Sequence, residues 1–535
     1  MSRPNPLVLL IIILATAGIM AWLGVARGAL FVSFYDGDVY HLLDIVFRME
    51  RGLVPHQDFV TPLGILGFAP ILWLFEQGYG IGTAILMSQA LLAAMLILPL
   101  WYAVWSRLSR VTGYVFAALV IIVALAITNG GTGPGISVSM HYNRWAWSIA
   151  AVCLVVALVP GRGFGVVDGF ILGLGVAALA LLKATFFVAL LPGVAVALLL
   201  RRDISAILTA VVTGAAIAVA VTVMLGFSHW TGYVADLLNV SGSSVRPSPG
   251  LSLGQLVGSA NSLGLILVGL LTYFWVSRAG HQASALALVL LVPGLFYVTY
   301  QNFGNDPVWL IPFAAVLMAL RPAPETEHDG PGLRTAMAAT ALAAAVIYLP
   351  FAWTLALSPV RHVTQDASLY EPMLPERADD LFIRTDRARS LSAMVELDVA
   401  GSPWAKYRDA ANRPPRAELA GVTFDACEVQ AGTLAFFEEI SNDLLQLADA
   451  GSLRIFSADL PTAFWLFGVG APLQGGAPWY YGELSGLENA TAVLVPKCAY
   501  DSRVRAIVLE ELNAANLALR PIRDNDVYTL FAITR

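Results

Sequence analysis

The feature that most constrains this chain is a succession of long apolar runs through its first two-thirds. They lie at 7–26, 83–105, 113–128, 145–159, 165–182, 184–200, 204–226, 255–276, 283–300, 307–320 and 335–357. A helix of about 20 apolar residues crosses the hydrocarbon core of a bilayer. The eleven runs make the chain a polytopic α-helical membrane protein of about 11 transmembrane helices. A further apolar stretch, 63–76, is too short for a span and reads as interfacial.

Charge divides the chain in two. Residues 1–357 hold 15 Lys and Arg and 13 Asp and Glu, near 8% of the segment, where a soluble domain carries about 25%. Residues 358–535 hold 16 and 24, near 22%. The reading is a transmembrane domain over 1–357, with a first outer loop at 27–82, and an ordinary globular domain over 358–535. A net charge of −6 with no basic tract excludes nucleic acid as a partner. The 58% hydrophobic content excludes disorder.

Basic residues orient the spans, because cytoplasmic loops are enriched in Lys and Arg. With 63–76 not crossing and the N-terminus inside, the inner connections hold Arg107, Arg110, Arg162, Arg201, Arg202, Arg278, Arg321 and Arg334. The longer outer loops hold only Arg27, Arg48, Arg51, Arg144, Lys183 and Arg246. The C-terminal domain is then outside. The first 26 residues lack a clean small-residue cleavage site and read as a retained span. Arg-rich, Lys-poor, Ala- and Gly-rich usage fits a bacterium of high-GC genome. The expected location is therefore the inner (cytoplasmic) membrane, with the C-terminal domain periplasmic. Cys153 lies in a span; Cys427 and Cys498 share the outer domain, as a disulfide or as two buried thiols.

Polar residues collect in the outer loops. Loop 27–82 contains Asp36, Asp38, His41, Asp44, Glu50, His56 and Asp58. The Gly-rich loop 129–144 ends in His141, Tyr142, Asn143 and Arg144. Lys183 sits in a tight turn, Arg246 in loop 227–254 with His229 and Asp236, and Asp306 beside Asn302 and Asn305. Span centres carry almost no charge, unlike a transporter's substrate path. Within the first loop, Val39, Leu42, Leu43, Val46 and Phe47 recur at helical spacing and Gly52 stops the pattern. This reads as an amphipathic helix in the membrane interface, followed past Pro55 and Pro62 by a second, apolar one.

The run Asp38-Val39-Tyr40-His41 through Arg51-Gly52, then Pro55-His56-Gln57-Asp58-Phe59 and Pro62, resembles the first outer loop of GT-C fold glycosyltransferases. These include the protein O-mannosyltransferases and the aminoarabinose transferase of lipid A. In them an acidic residue, often Asp-Glu, opens the loop, and a Gly closes its first helix about fourteen residues later. This chain keeps Asp38 and Gly52, has Val39 for the Glu and His56 for a turn Tyr, and offers Asp36 as a second carboxylate. The topology matches as well.

The resemblance implies a glycosyltransferase dependent on a polyprenyl-phosphate sugar. It would act on the outer face of the membrane and pass the sugar to a hydroxyl of a glycan, lipid or protein acceptor. Partners are the lipid-linked donor, the acceptor and membrane lipids. Asp38, or Asp36, is expected as the general base for that hydroxyl. The leaving phosphate needs cations, and Arg144, Lys183 and Arg246 are the outer-face candidates, with Asp58, His141 and Asp306 as further substrate contacts. Six of these have a plainer reading: a helix cap or interfacial charge for Asp38, a turn for Asp36 and Asp58, snorkelling for Lys183, an interfacial anchor for Arg144, a helix N-terminal charge for Asp306. No cofactor is expected; Asp36, Asp38 and a histidine offer the one metal reading, without a compact ligand motif.

The outer domain reads as an α/β domain of one sheet with helices. Leu453–Ser457, Ala492–Pro496 and Asp526–Ile533 read as strands, and Thr433–Ala450 and Arg503–Asn516 as helices. Phe464, Trp465, Phe467, Trp479, Tyr480 and Tyr481 read as core rather than as a sugar or membrane platform. Rival functions are a lipid-linked glycan ligase or polymerase, a lipid or solute transporter, and a sensor that merely displays the outer domain.

Overall fold

The computed structural model describes residues 3–161, 164–245, 252–303, 305–323, 332–374, 377–399, 401–408 and 416–534. The chain forms two compact units. The first comprises Met1–Leu30, Leu63–Gly226 and Ser248–Gln365; the second comprises Phe31–Pro62, Phe227–Pro247 and Asp366–Arg535. The composition break at Ser358 falls close to the last boundary, while residues 31–62 and 227–247 group with the C-terminal part.

In the first unit a helix lies over each of the eleven apolar runs. Among the described residues seven are long and apolar enough to cross a membrane: Pro6–Val25, Ile81–Arg107, Gly165–Leu182, Ala184–Arg201, Ile204–Leu225, Gln282–Gln301 and Gly332–Val363. The chain is thus a multi-pass helical membrane protein with a smaller sheet-containing part. Helix His141–Leu158 is the hub, with every residue but Tyr142 buried. Glycine allows the closest approaches, as small residues do between helices in lipid. A Cβ on Gly169 would stand 2.3 Å from the Ala206 carbonyl oxygen, and one on Gly173 2.5 Å from that of Ala210. Residues 63–76 are broken rather than one helix: a 3-10 turn at Ile65–Gly67 precedes helix Ala69–Glu76.

The second unit is built on a four-stranded sheet in the order Ala518–Asp524, Tyr528–Thr534, Ala492–Pro496, Ile455–Ser457. The last pair is parallel, the others antiparallel. Val493, Val495 and Phe531 pack with Val508 and Leu512 of helix Ser502–Ala514 to form its core. Smaller two-stranded pairings lie outside this sheet, so the single sheet read from sequence is corrected to several. Cys427 and Cys498 are joined in a disulfide. Of the aromatic stretch, Phe464, Trp465, Trp479, Tyr480 and Tyr481 are buried, as the core reading requires, and Phe467 is half-buried.

The interfacial reading of the first-loop helix is also corrected. Helix Asp36–Glu50 is buried around most of its circumference, with its polar residues included. Asp44 and Arg48, one helical turn apart, form an ion pair that is 0% and 1% exposed. Asp44 Oδ2 accepts from Trp465 Nε1 at 2.8 Å, and Arg48 Nη1 donates to the Leu473 carbonyl at 2.8 Å. The Tyr40 ring lies 5.2 Å from that of Phe437. Pairing and hydrogen bonding are what permit these charges inside a protein.

Candidate functional site

The structure gathers four of the sequence-selected residues, His141, Arg144, Lys183 and Asp306, within the first unit. The gathering begins with a helix break. Helix Gly165–Leu182 stops and helix Ala184–Arg201 starts around the single extended residue Lys183, at φ −159°. The carbonyl of Leu182 freed by the break accepts from Gly64 N at 3.0 Å. A Cβ on Gly64 would lie 2.1 Å from the Leu181 oxygen, so this approach requires glycine. Lys183 Nζ donates to Asn143 Oδ1 and to Asn302 Oδ1, each at 3.2 Å, and lies 5.6 Å from the centre of the Tyr142 ring. The lysine is therefore held by protein groups rather than extended toward a headgroup.

Arg144, in the first turn of its helix, is fully buried. Its Nη1 donates to the Ser139 carbonyl at 3.1 Å, while Nε and Nη2 have no partner. Those two nitrogens form one edge of the guanidinium fork, the edge that binds two oxygens of a phosphate or carboxylate side by side. The Nδ2 atoms of Asn143 and Asn302 are likewise buried without acceptors.

Asp306 is fully buried and neither carboxyl oxygen has a donor. Its backbone is left-handed at φ 53°, and its N–H donates to the Gly130 carbonyl at 3.2 Å. Gly130, itself at φ 86°, leaves the space that the carboxyl fills: a Cβ there would stand 2.0 Å from Oδ1. Burial pushes the Asp306 carboxyl up to about 7, with Arg144 and Lys183 pulling the other way. Among the described residues no hydrogen bond or ion pair closes between Arg144 and Asp306. His141 has a structural use: its Nε2 donates to the Gly67 carbonyl at 2.9 Å, tying the turn before Phe68 to the hub helix.

Asp36, Asp38 and Asp58 belong to the second unit. Tyr35, left-handed at φ 58°, starts the helix without a side-chain cap, so Asp36 and Asp38 lie in its first turn, where carboxylates favour the helix dipole. Asp36 is buried and accepts from Arg387 Nη2 at 2.8 Å, leaving Oδ2 without a donor. Asp38 is half-buried. Between them, Gly37 lies against Tyr500: a Cβ there would stand 2.2 Å from the tyrosine oxygen. Burial pushes the Tyr500 hydroxyl up, and the charges of Asp36 and Asp38 push it the same way, so this phenol stays protonated beside the acid pair. One turn on, His41 Nε2 and Tyr481 OH share a hydrogen bond of 2.6 Å. Asp58 takes its turn reading, with Oδ2 accepting from Val54 N at 2.7 Å. Arg246 lies outside the described residues.

Sequence reasoning misses three partnerships. Arg387 on Asp36 and Tyr500 beside the acid pair come from the distant C-terminal segment, and nothing local marks them. The third is His56, left-handed at φ 70°, whose Nδ1 donates to Asp236 Oδ2 at 2.8 Å. Both residues stand out as loop polar groups, but 180 residues separate them. The amides of Asn143 and Asn302 are visible as neighbours of Arg144 and Asp306, without a sign that one lysine joins them. Among the described residues no three His, Cys, Asp or Glu side chains form a group able to hold a metal ion. No family model, curated protein or solved structure matches this chain.

Proposed function

We propose that this protein is a multi-pass membrane glycosyltransferase of the GT-C type, using a polyprenyl-phosphate sugar donor and an acceptor hydroxyl on the outer face of the cytoplasmic membrane. The observation that carries the reading is the cluster of Arg144, Lys183, Asn143 and Asn302. There a buried guanidinium edge and two buried amides lack acceptors, as a site for a phosphate requires. The Cys427–Cys498 disulfide supports an oxidising compartment for the second unit, consistent with an outer face. The charged side chains of the described spanning helices all lie in first or last turns, which disfavours a transporter with ionisable groups at mid-membrane.

In this reading the eleven helices over the apolar runs are the spans. Arg144 and Lys183 hold the donor phosphate as it leaves. Asp38, in the second unit, is the general base of this reading and takes the proton of the acceptor hydroxyl as that hydroxyl becomes the glycosidic oxygen. Asp36, paired with Arg387, positions the turn. The test is sugar transfer from a labelled polyprenyl-phosphate hexose by the full chain in liposomes. Asp38→Asn should lose about 10²–10⁴-fold in turnover with donor binding intact. Loss on Asp36→Asn instead moves the base to Asp36. Normal transfer by both variants overturns the carboxylate mechanism. A wild-type protein that binds no polyprenyl-phosphate lipid overturns the reading itself.

A further inference from the structure

The feature least explained by phosphate binding alone is Asp306. A carboxyl among cations weakens a site for an anion, yet the fold makes a place for this one. It sits in a left-handed conformation at φ 53° that favours glycine, and Gly130 has no side chain where the carboxyl stands. A backbone of that kind persists where the surroundings over-determine it. An ordinary internal counter-ion would close an ion pair with Arg144, but Arg144 keeps its Nε and Nη2 edge open and both Asp306 oxygens lack donors. Tyr348, whose buried hydroxyl also lacks a partner, lies within electrostatic reach of the carboxyl. Two opposite charges, each buried and each unsatisfied, ask for a ligand that presents acceptors to one and a donor to the other.

We infer that Asp306 reads a hydroxyl of the ligand whose phosphate Arg144 and Lys183 hold, so that the site selects a hydroxyl-bearing phosphate ester over a bare phosphate. This rests on the phosphate reading of the cluster and deepens it. A phosphate alone satisfies the guanidinium edge and leaves the carboxyl with nothing but a second anion. A glycosyl phosphate satisfies both, because a sugar hydroxyl donates to a carboxylate. Sites built to bond a hydroxyl reject analogues lacking it strongly, since the buried partner is then left unpaired. Asp306 is thereby a specificity residue, with no part in making or breaking the glycosidic bond.

The test uses the full chain in nanodiscs and three probes: a polyprenyl phosphate, the same lipid bearing a hexose, and water-soluble hexose 1-phosphate. Wild-type protein should bind the hexosyl lipid at least tenfold more tightly than the bare lipid. Asp306→Asn should abolish that preference while leaving affinity for the bare lipid unchanged or higher, and Arg144→Gln should weaken both lipids. Competition by hexose 1-phosphate would assign recognition to the headgroup alone, and its absence would tie recognition to the lipid-linked form; the inference holds in either case. Removing hydroxyls singly from the hexose supplies a test that needs no variant, because one deoxy sugar should bind only as well as the bare lipid. If the wild type binds neither lipid, the phosphate reading fails. If it binds both equally, or Asp306→Asn keeps the preference or weakens both alike, the phosphate reading stands and the role given to Asp306 is wrong.

Discussion

Replacing Asp306 by asparagine interrogates the buried cluster without any ligand. Burial raises this carboxyl from 3.8 to about 7. An acid whose pKa is higher folded than unfolded binds more protons in the folded state between the two values. Stability therefore falls as pH rises from about 4 to about 7 and is level beyond. A tenfold difference in proton affinity between the folded and unfolded states is worth about 1.4 kcal/mol. Between pH 5 and pH 8 the ionisation of Asp306 should remove roughly 3 kcal/mol from the wild type. Asparagine keeps the shape and does not titrate, and Arg144, Lys183 and Tyr348, the groups facing the carboxyl, are common to both proteins. The stability of Asp306→Asn relative to wild type should thus improve by about 3 kcal/mol from pH 5 to pH 8, whatever fixed penalty the amide introduces. Unfolding of the purified full chain in detergent, followed by tryptophan fluorescence at pH 5, 6.5 and 8, measures it. A difference that does not change with pH would show that the carboxyl keeps its ordinary value. Asp306 would then be hydrated or paired, and no unsatisfied charge would be left to ask for a ligand hydroxyl.

Three further outcomes are expected. Reporter fusions after Ala323 and Gly421 should report the inside and the outside of the membrane respectively, and both on one side would sink the eleven-span arrangement. Cys427→Ala with Cys498→Ala should destabilise the second unit by up to about 4 kcal/mol, from a closure spanning 71 residues, and protein isolated without reductant should yield one cross-linked peptide pair rather than two alkylated thiols. Lys183→Met should weaken polyprenyl-phosphate binding at least tenfold without lowering the melting temperature of the unliganded protein by more than a few degrees. Unchanged affinity would reduce Lys183 to an amide-ordering residue.

What is legible in the sequence follows from local pattern. Apolar runs locate the helices of the first unit because hydrocarbon leaves the backbone few alternatives. Buried strands such as Ala492–Pro496 announce themselves by continuous apolar character. Strand Ala518–Asp524 does not: it is a sheet edge, mostly exposed, with Pro521 at an irregularity in the register, so it shows neither alternation nor a clean run. Helix Asp36–Glu50 is legible, but its surroundings are not. Asp44 and Arg48 are polar residues of a helix that reads as interfacial in sequence, and the distant Trp465 and Leu473 reveal that the pair is buried. The site residues on helix ends and loops are identifiable by type, whereas their pairings are not. Lys183 with Asn143 and Asn302, Asp36 with Arg387, and His56 with Asp236 each join segments far apart in the chain.

Four of the nine non-glycine residues at positive φ among the described residues fall at or beside these polar groups. Tyr35, His56, Met140 and Asp306 are non-glycine residues at positive φ, and each either precedes or bears a polar group singled out above. An L residue there is disfavoured by about 1–2 kcal/mol, so convenience of turning does not explain the choice; glycine would serve better. The geometry explains it. The left-handed turn at Met140 starts the hub helix abruptly and brings the Ser139 carbonyl round to Arg144 Nη1. That bond fixes the guanidinium and determines which of its edges stays open. The turn at Asp306 lets its own N–H reach Gly130 and its carbonyl accept from Val308 N at 2.7 Å, so the carboxyl is carried on a locked loop. A flexible loop could bring the same charges together but would let them collapse into an ion pair. Holding them apart, buried and unsatisfied, requires the backbone to be rigid on both sides, and rigidity of that kind is what a site needs to tell one phosphate ester from another.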